Sequence, residues 1–97
     1  MQSTDTYLEL LRQFKKDNAG QYGIKKLGMF GSVARGEQKE DSDVDICVET
    51  DTPNLFNLVH IKEDLQELFH RKVDIVRLRD KMDALLRERI ESEGRYV

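Results

Sequence analysis

IKKLGMFGSVARGEQKEDSDVDICVE, residues 24–49, is the stretch on which the fold turns. Its end alternates strictly: Val44, Ile46 and Val48 point one way, and Asp43, Asp45, Cys47 and Glu49 the other. A period of two marks a half-buried strand, because successive side chains leave opposite faces of the pleat. Ile24–Phe30 reads as a second strand. Between the two, Gly31 and Ser32 open a short turn or helix that stops near Gly36. Glu37–Ser42 is polar throughout and reads as a loop.

Outward from this core the elements keep alternating. Residues 3–18 place Tyr7, Leu8, Leu11 and Phe14 at helical spacing, with Arg12, Lys15 and Lys16 outside and Gly20 and Gly23 closing the helix. Thr52-Pro53 reads as an N-cap followed by a proline at the first helical position. From there Leu55, Leu58, Val59, Ile61, Leu65, Leu68 and Phe69 make an amphipathic helix of about four turns. Lys72–Leu78 (KVDIVRL) predicts another short strand, and Met82, Leu85, Leu86 and Ile90 a closing helix over 80–91. This order predicts an α/β (α+β) fold, a small sheet with helices packed mainly on the face lined by Val44, Ile46 and Val48. The opposite face near Asp43 is expected to stay open.

Ninety-seven residues leave room for one domain, 1–97, and one core. Hydrophobic residues make up 38% and charged residues 36%, enough of the former to fold and enough of the latter to keep the chain in water. A chain this short is expected to need a partner to cover any large apolar patch. No apolar run approaches the roughly 18 residues of a membrane span. The start, MQSTDTYLEL, has neither a basic nor an apolar leader region. With Cys47 as the single cysteine there is no internal disulfide, and a cytoplasmic protein is expected. A net charge of −3 is not the footprint of a general nucleic-acid binder, so no direct nucleic-acid binding is expected.

The chemistry lies in the same central stretch. Asp43 and Asp45, two apart on a strand, share a face roughly 7 Å apart at the backbone. Two carboxylates so close repel unless a cation sits between them, and Mg²⁺ takes such oxygen ligands while keeping waters and substrate phosphates in its shell. Asp74 lies between apolar neighbours on the next strand; if strands 43–49 and 72–78 pair, it joins the other two. The Gly31-Ser32 junction offers backbone N–H groups and a hydroxyl to phosphate oxygens, and Arg35 adds a charged fork. Anion donors on one side and metal ligands on the other suit a metal-bound nucleoside triphosphate and in-line nucleotidyl transfer with two metal ions. Taken singly these features are common; a strand Asp-x-Asp pair or a Gly-Ser turn is usually a solvated edge or only a turn.

As a set, GSVARGEQKEDSDVDICVE resembles the G-S-x-x-R-G…S-D-x-D signature of the polymerase-beta-like nucleotidyltransferases. It is most similar to their minimal members, the MNT antitoxin group. The likeness spans nearly the whole chain: leading helix, signature, the Pro53–Phe69 helix, the RKVDIV strand and the closing helix with RERI. The resemblance implies a polymerase-beta-like fold with Gly31 and Ser32 on the triphosphate. Arg35 would steady the phosphates or the loop, and Ser42, beside the signature aspartates, would cap the turn into the strand. Asp43, Asp45 and Asp74 are implied to hold Mg²⁺, the last also helping to deprotonate the acceptor. It further implies ATP as substrate and a HEPN-type RNase toxin as partner in a hetero-oligomer, with AMP passed to a tyrosine hydroxyl of that toxin. Larger nucleotidyltransferases hold the acceptor with a further domain; an acceptor delivered by another protein answers its absence here. Two other readings compete: a non-catalytic antitoxin that masks the toxin by binding, and transfer to a small-molecule hydroxyl.

The remaining residues have plainer readings. His60 and His70 lack partners at metal spacing, and His70 belongs with the end of its helix. Cys47 is a small packing residue without an identifiable base. Tyr7 and Phe14 belong to packing, whereas Tyr96 and Val97 either dock a partner or fray. Arg71, Lys72, Arg77, Arg79 and Lys81 form a solvated face, and Glu37, Glu40 and Asp41 stay in water.

Overall fold

The computed structural model describes residues 2–97. Helix α1 (Thr4–Tyr22) opens at Ser3, whose side chain accepts a hydrogen bond from the Thr6 N–H. It runs past Gly20 and stops at Gly23, which takes the left-handed conformation (φ 65°) that glycine adopts without steric cost and returns its N–H to the Ala19 carbonyl. The helix is therefore a turn longer than its periodicity predicts. Strand β1 (Ile24–Phe30) leads directly into the one-turn helix α2 (Gly31–Arg35), and β2 (Val44–Thr50) returns antiparallel to β1.

Helix α3 (Leu55–Phe69) starts two residues later than expected. Asn54, not Thr52, is its cap, accepting from the Asn57 N–H. Strand β3 (Val73–Arg77) lies parallel to β2, and helix α4 (Ala84–Glu93) is capped by Asp83. Arg95–Tyr96 does not fray but forms a short strand, β4, antiparallel to β1, with the Val97 N–H bonded to the Leu27 carbonyl. The sheet order is β3-β2-β1-β4.

The alternation of β2 divides two cores. On one face Val44, Ile46 and Val48 join Leu27 and Met29 beneath α1 and α3, whose Tyr7, Leu8, Leu11, Phe14, Ile61, Leu65 and Phe69 are buried with them. On the other face Cys47, Phe30 and Ile90 form a smaller cluster under α4. That face is thus covered at Cys47 and open at the Asp43 end. Gly28 belongs to it too: a Cβ there would meet the Tyr96 ring at 2.8 Å, so the absent side chain lets Tyr96 lie across the strand.

The apolar stripe of α3 is wider than the sheet beneath it. Leu55, Val59 and Leu68 are exposed rather than core, as is Phe56, and in α4 only Ile90 is fully buried while Leu85 faces solvent. With β3 at the edge, little sheet lies under the start of α3 to cover Leu55 and Phe56. No helix among the described residues is long and apolar enough to cross a membrane.

Candidate active site

The site forms where β1 ends, β2 begins and α4 arrives from above. Phe30 pairs with Asp45 in the β1–β2 register, so the first residue after β1, Gly31, lies against the Asp45 side chain. Gly31 has φ +77°, and a Cβ built there would overlap Asp45 Oδ2 and sit 3.1 Å from its Cγ. No other residue type fits without moving that carboxylate.

The parallel β2–β3 register sets Asp45 directly beside Asp74, while Val44 pairs with Val73. Asp43 immediately precedes β2, and its charge acts on Asp45. The result is a patch of negative charge that Arg89 offsets only in part. The Asp45 carboxyl is held above the ordinary carboxylate range, first by its burial and then by the charges of Asp74, Asp43 and Glu93, with Arg89 opposing them. A divalent cation would relieve this repulsion, so the donor set suits Mg²⁺. Among the described residues no three His, Cys, Asp or Glu side chains already close around an ion position. The register thus brings together Asp45 and Asp74 of the expected triad, and the three carboxylates do not form a preformed cage. That suits an ion which keeps waters and substrate phosphates in its shell.

The other expected residues take distinct places. Ser32 is half-buried in the first turn of α2, and its carbonyl receives the Gly36 and Glu37 N–H groups that close that turn. Arg35 donates from Nε to Glu37 (3.1 Å) and from Nη1 to Glu93 (2.8 Å). The Ser42 hydroxyl accepts the Lys39 N–H (2.9 Å), which orients the turn into β2.

The comparison with protein families decides the assignment: the nucleotidyltransferase domain model matches residues 9–97. The chain belongs to the nucleotidyltransferase family. This nucleotidyltransferase is 41% identical over 68 residues to the protein adenylyltransferase MntA of Thermococcus cleftensis, covering 69% of each chain. A solved structure provisionally named a minimal nucleotidyltransferase is 33% identical, with TM-score 0.78 over 97% of this chain and 95% of that one. A toxin–antitoxin crystal structure with AMP-PNP is 25% identical, with TM-score 0.75 over 91% of this chain and 69% of that one. The expected polymerase-beta-like fold is the fold of these neighbours.

Two residues of α4 also meet this bend and were not legible in the sequence. Glu93 accepts the Gly31 N–H on Oε2 (3.2 Å) as well as the Arg35 bond on Oε1, and Arg89 Nη2 lies 3.9 Å from Glu93 Oε2. The Arg89 guanidinium rests over the Phe30 ring, 5.6 Å from its centroid. The i, i+4 spacing of Arg89 and Glu93 was visible as an ordinary helix pair. Its position over a bend 62 residues earlier in the chain was not.

Proposed function

We propose that this nucleotidyltransferase is an Mg²⁺-dependent antitoxin of the cytoplasm, acting through the single domain 1–97, that transfers AMP from ATP to a tyrosine hydroxyl of a cognate HEPN toxin. The observation that carries the proposal is the seating of Asp45 between Asp74 and Gly31. Carboxylates that suit a cation thereby adjoin a bend that suits phosphate. The adenylyltransferase name of the Thermococcus relative and the ATP analogue in the toxin–antitoxin structure support the donor and the partner class.

Asp43, Asp45 and Asp74 would hold Mg²⁺, which when bound neutralises triphosphate charge and acidifies the acceptor hydroxyl. The Gly31 N–H, the Ser32 hydroxyl and Arg35 bind and orient the phosphates, with Ser42 holding the turn behind them. Asp74, the most exposed of the three carboxylates, helps take the phenolic proton as the tyrosine oxygen attacks the α-phosphorus. The bond from that phosphorus to the bridging oxygen breaks and pyrophosphate leaves. The exposed Leu55, Phe56 and Val59 on α3 offer apolar surface for a protein partner, which the masking alternative requires equally.

The test is transfer of label from α-³²P-ATP to the purified toxin with Mg²⁺, comparing wild type with the Asp43→Ala, Asp45→Ala double variant. The variant should lose roughly a thousandfold or more in rate, with the label on tyrosine in the wild-type reaction. Equal labelling by both would remove the catalytic reading. A silent variant that still neutralises the toxin fully in cells would favour masking.

A further inference from the structure

Glu93 stands out because of what surrounds it. Its carboxylate is met by two donors from α2 and one cation from its own helix: the Gly31 N–H at 3.2 Å, Arg35 Nη1 at 2.8 Å and, as an ion pair, Arg89 Nη2 at 3.9 Å. Its side chain is 23% exposed, against 38% for Arg35 and 54% for Arg89, so the anion is the inner member of the group. The position is fixed from both sides. Ile90, a turn earlier, is buried in the smaller core, and immediately afterwards Gly94 closes the helix and β4 pairs with β1. An acidic side chain so placed stands 23% exposed beside a site that already carries Asp43, Asp45 and Asp74, and it raises the Asp45 carboxyl further. Its bonds to Gly31 and Arg35 are thus made against added repulsion in the carboxylate patch.

We propose that Glu93 is a resident stand-in for the polyphosphate, holding the Gly31–Arg35–Arg89 donors until an incoming nucleotide displaces it. The inference rests on the reading above of the Gly31-Ser32 bend as the phosphate seat. A carboxylate and a phosphate cannot share one N–H donor at hydrogen-bond distance without direct charge repulsion, so one must leave. Without nucleotide, Glu93 holds Arg35 and Arg89 at the bend, where Arg89 also offsets part of the charge on Asp45. When nucleotide arrives, both guanidiniums are already beside the phosphates and the displaced carboxylate turns to solvent. Arg89 thereby becomes a phosphate-facing cation supplied by α4.

Calorimetric titration tests this with two probes, tripolyphosphate without metal and Mg²⁺-ATP. Glu93→Gln and Glu93→Ala should each bind both probes about ten- to a hundredfold tighter than wild type, the range expected when competition for charge-assisted hydrogen bonds is removed. Arg89→Gln should weaken binding. Glu91→Gln, an exposed charge on the same helix, controls for net charge and should change affinity less than about threefold. In the wild-type protein the ¹³C resonance of the Glu93 carboxyl should shift as tripolyphosphate saturates, a readout independent of whether any variant folds. Saturable binding with an unmoved Glu93 resonance would overturn the proposal. So would unchanged or weaker affinity in folded Glu93→Gln; Glu93 would then be a structural clamp on Arg35 and the phosphate reading would stand. If neither wild type nor the Glu93 variants bind either probe, the phosphate seat itself fails, and the stand-in with it.

Discussion

Replacing Gly31 by alanine tests whether the bend and the metal-binding carboxylates are one unit. The perturbation has two parts. Alanine at φ +77° costs about 1 kcal/mol in backbone conformation. The new methyl also overlaps Asp45 Oδ2 and crowds Cγ at 3.1 Å, so the carboxylate has to rotate away. An off-rotamer aspartate adds roughly 0.5–1.5 kcal/mol, for a total near 2 kcal/mol. Urea denaturation should show that loss with an unchanged slope. Activity should suffer far more, because a catalytic group moved by about 1 Å costs roughly a hundredfold in rate. A cycle separates the parts: in an Asp45→Ala background the stability cost of Gly31→Ala should fall to about 1 kcal/mol, since only the backbone part is left. The reasoning is refuted if Gly31→Ala transfers nucleotide within about threefold of wild type, or if its stability cost is the same with and without the Asp45 side chain.

Further outcomes follow from the same geometry. The Asp45 carboxyl is raised in the folded state by burial and by its acidic neighbours, so its contribution to stability is present below the ordinary carboxylate range and lost as pH rises through the raised value. Asp45→Asn should therefore melt higher than wild type at pH 7, with the advantage gone below about pH 3; a lower melting temperature at pH 7 would contradict the charge-patch account. Mg²⁺ should raise the melting temperature of wild type and not of the Asp43→Ala, Asp45→Ala variant, and chelation should reverse the gain; equal shifts would place the cation elsewhere. The Tyr22 hydroxyl donates to Asp64 at 2.7 Å, and this bond, followed by burial, pushes the phenol up to about 12. Its stabilising contribution is complete below pH 10 and disappears as pH climbs through about 12. Tyr22→Phe should cost about 1 kcal/mol at pH 7 and flatten part of the alkaline loss of stability; Tyr96, also pushed up to about 12, chiefly by burial, and the Cys47 thiol, raised by its burial, contribute to what is left.

The legible parts of the fold were those written in short periods. The alternation of residues 43–49 placed Val44, Ile46 and Val48 in the main core, and the helical spacing of Tyr7, Leu8, Leu11 and Phe14 did the same for α1. The closing strand escaped because two residues show no period, and Tyr96 finds its place only through the space left by Gly28. The width of the α3 stripe misled in the other direction. Leu55, Val59 and Leu68 read as core, but a helix's apolar stripe says nothing about how much sheet lies beneath it.

For the site, the chain on its own decided which residue types could do the chemistry and that Asp43 and Asp45 stand two apart at the start of one strand, a spacing for which strand geometry favours a common face. It also decided, through Gly31-Ser32, where the bend after β1 falls. Only the tertiary structure decided that β3 pairs parallel to β2 with Asp74 beside Asp45, that Gly31 touches Asp45, and that Glu93 and Arg89 come down onto the bend. The physical reason is range: local periodicity is set by backbone geometry over a few residues, whereas contacts between distant segments are set by how whole faces pack.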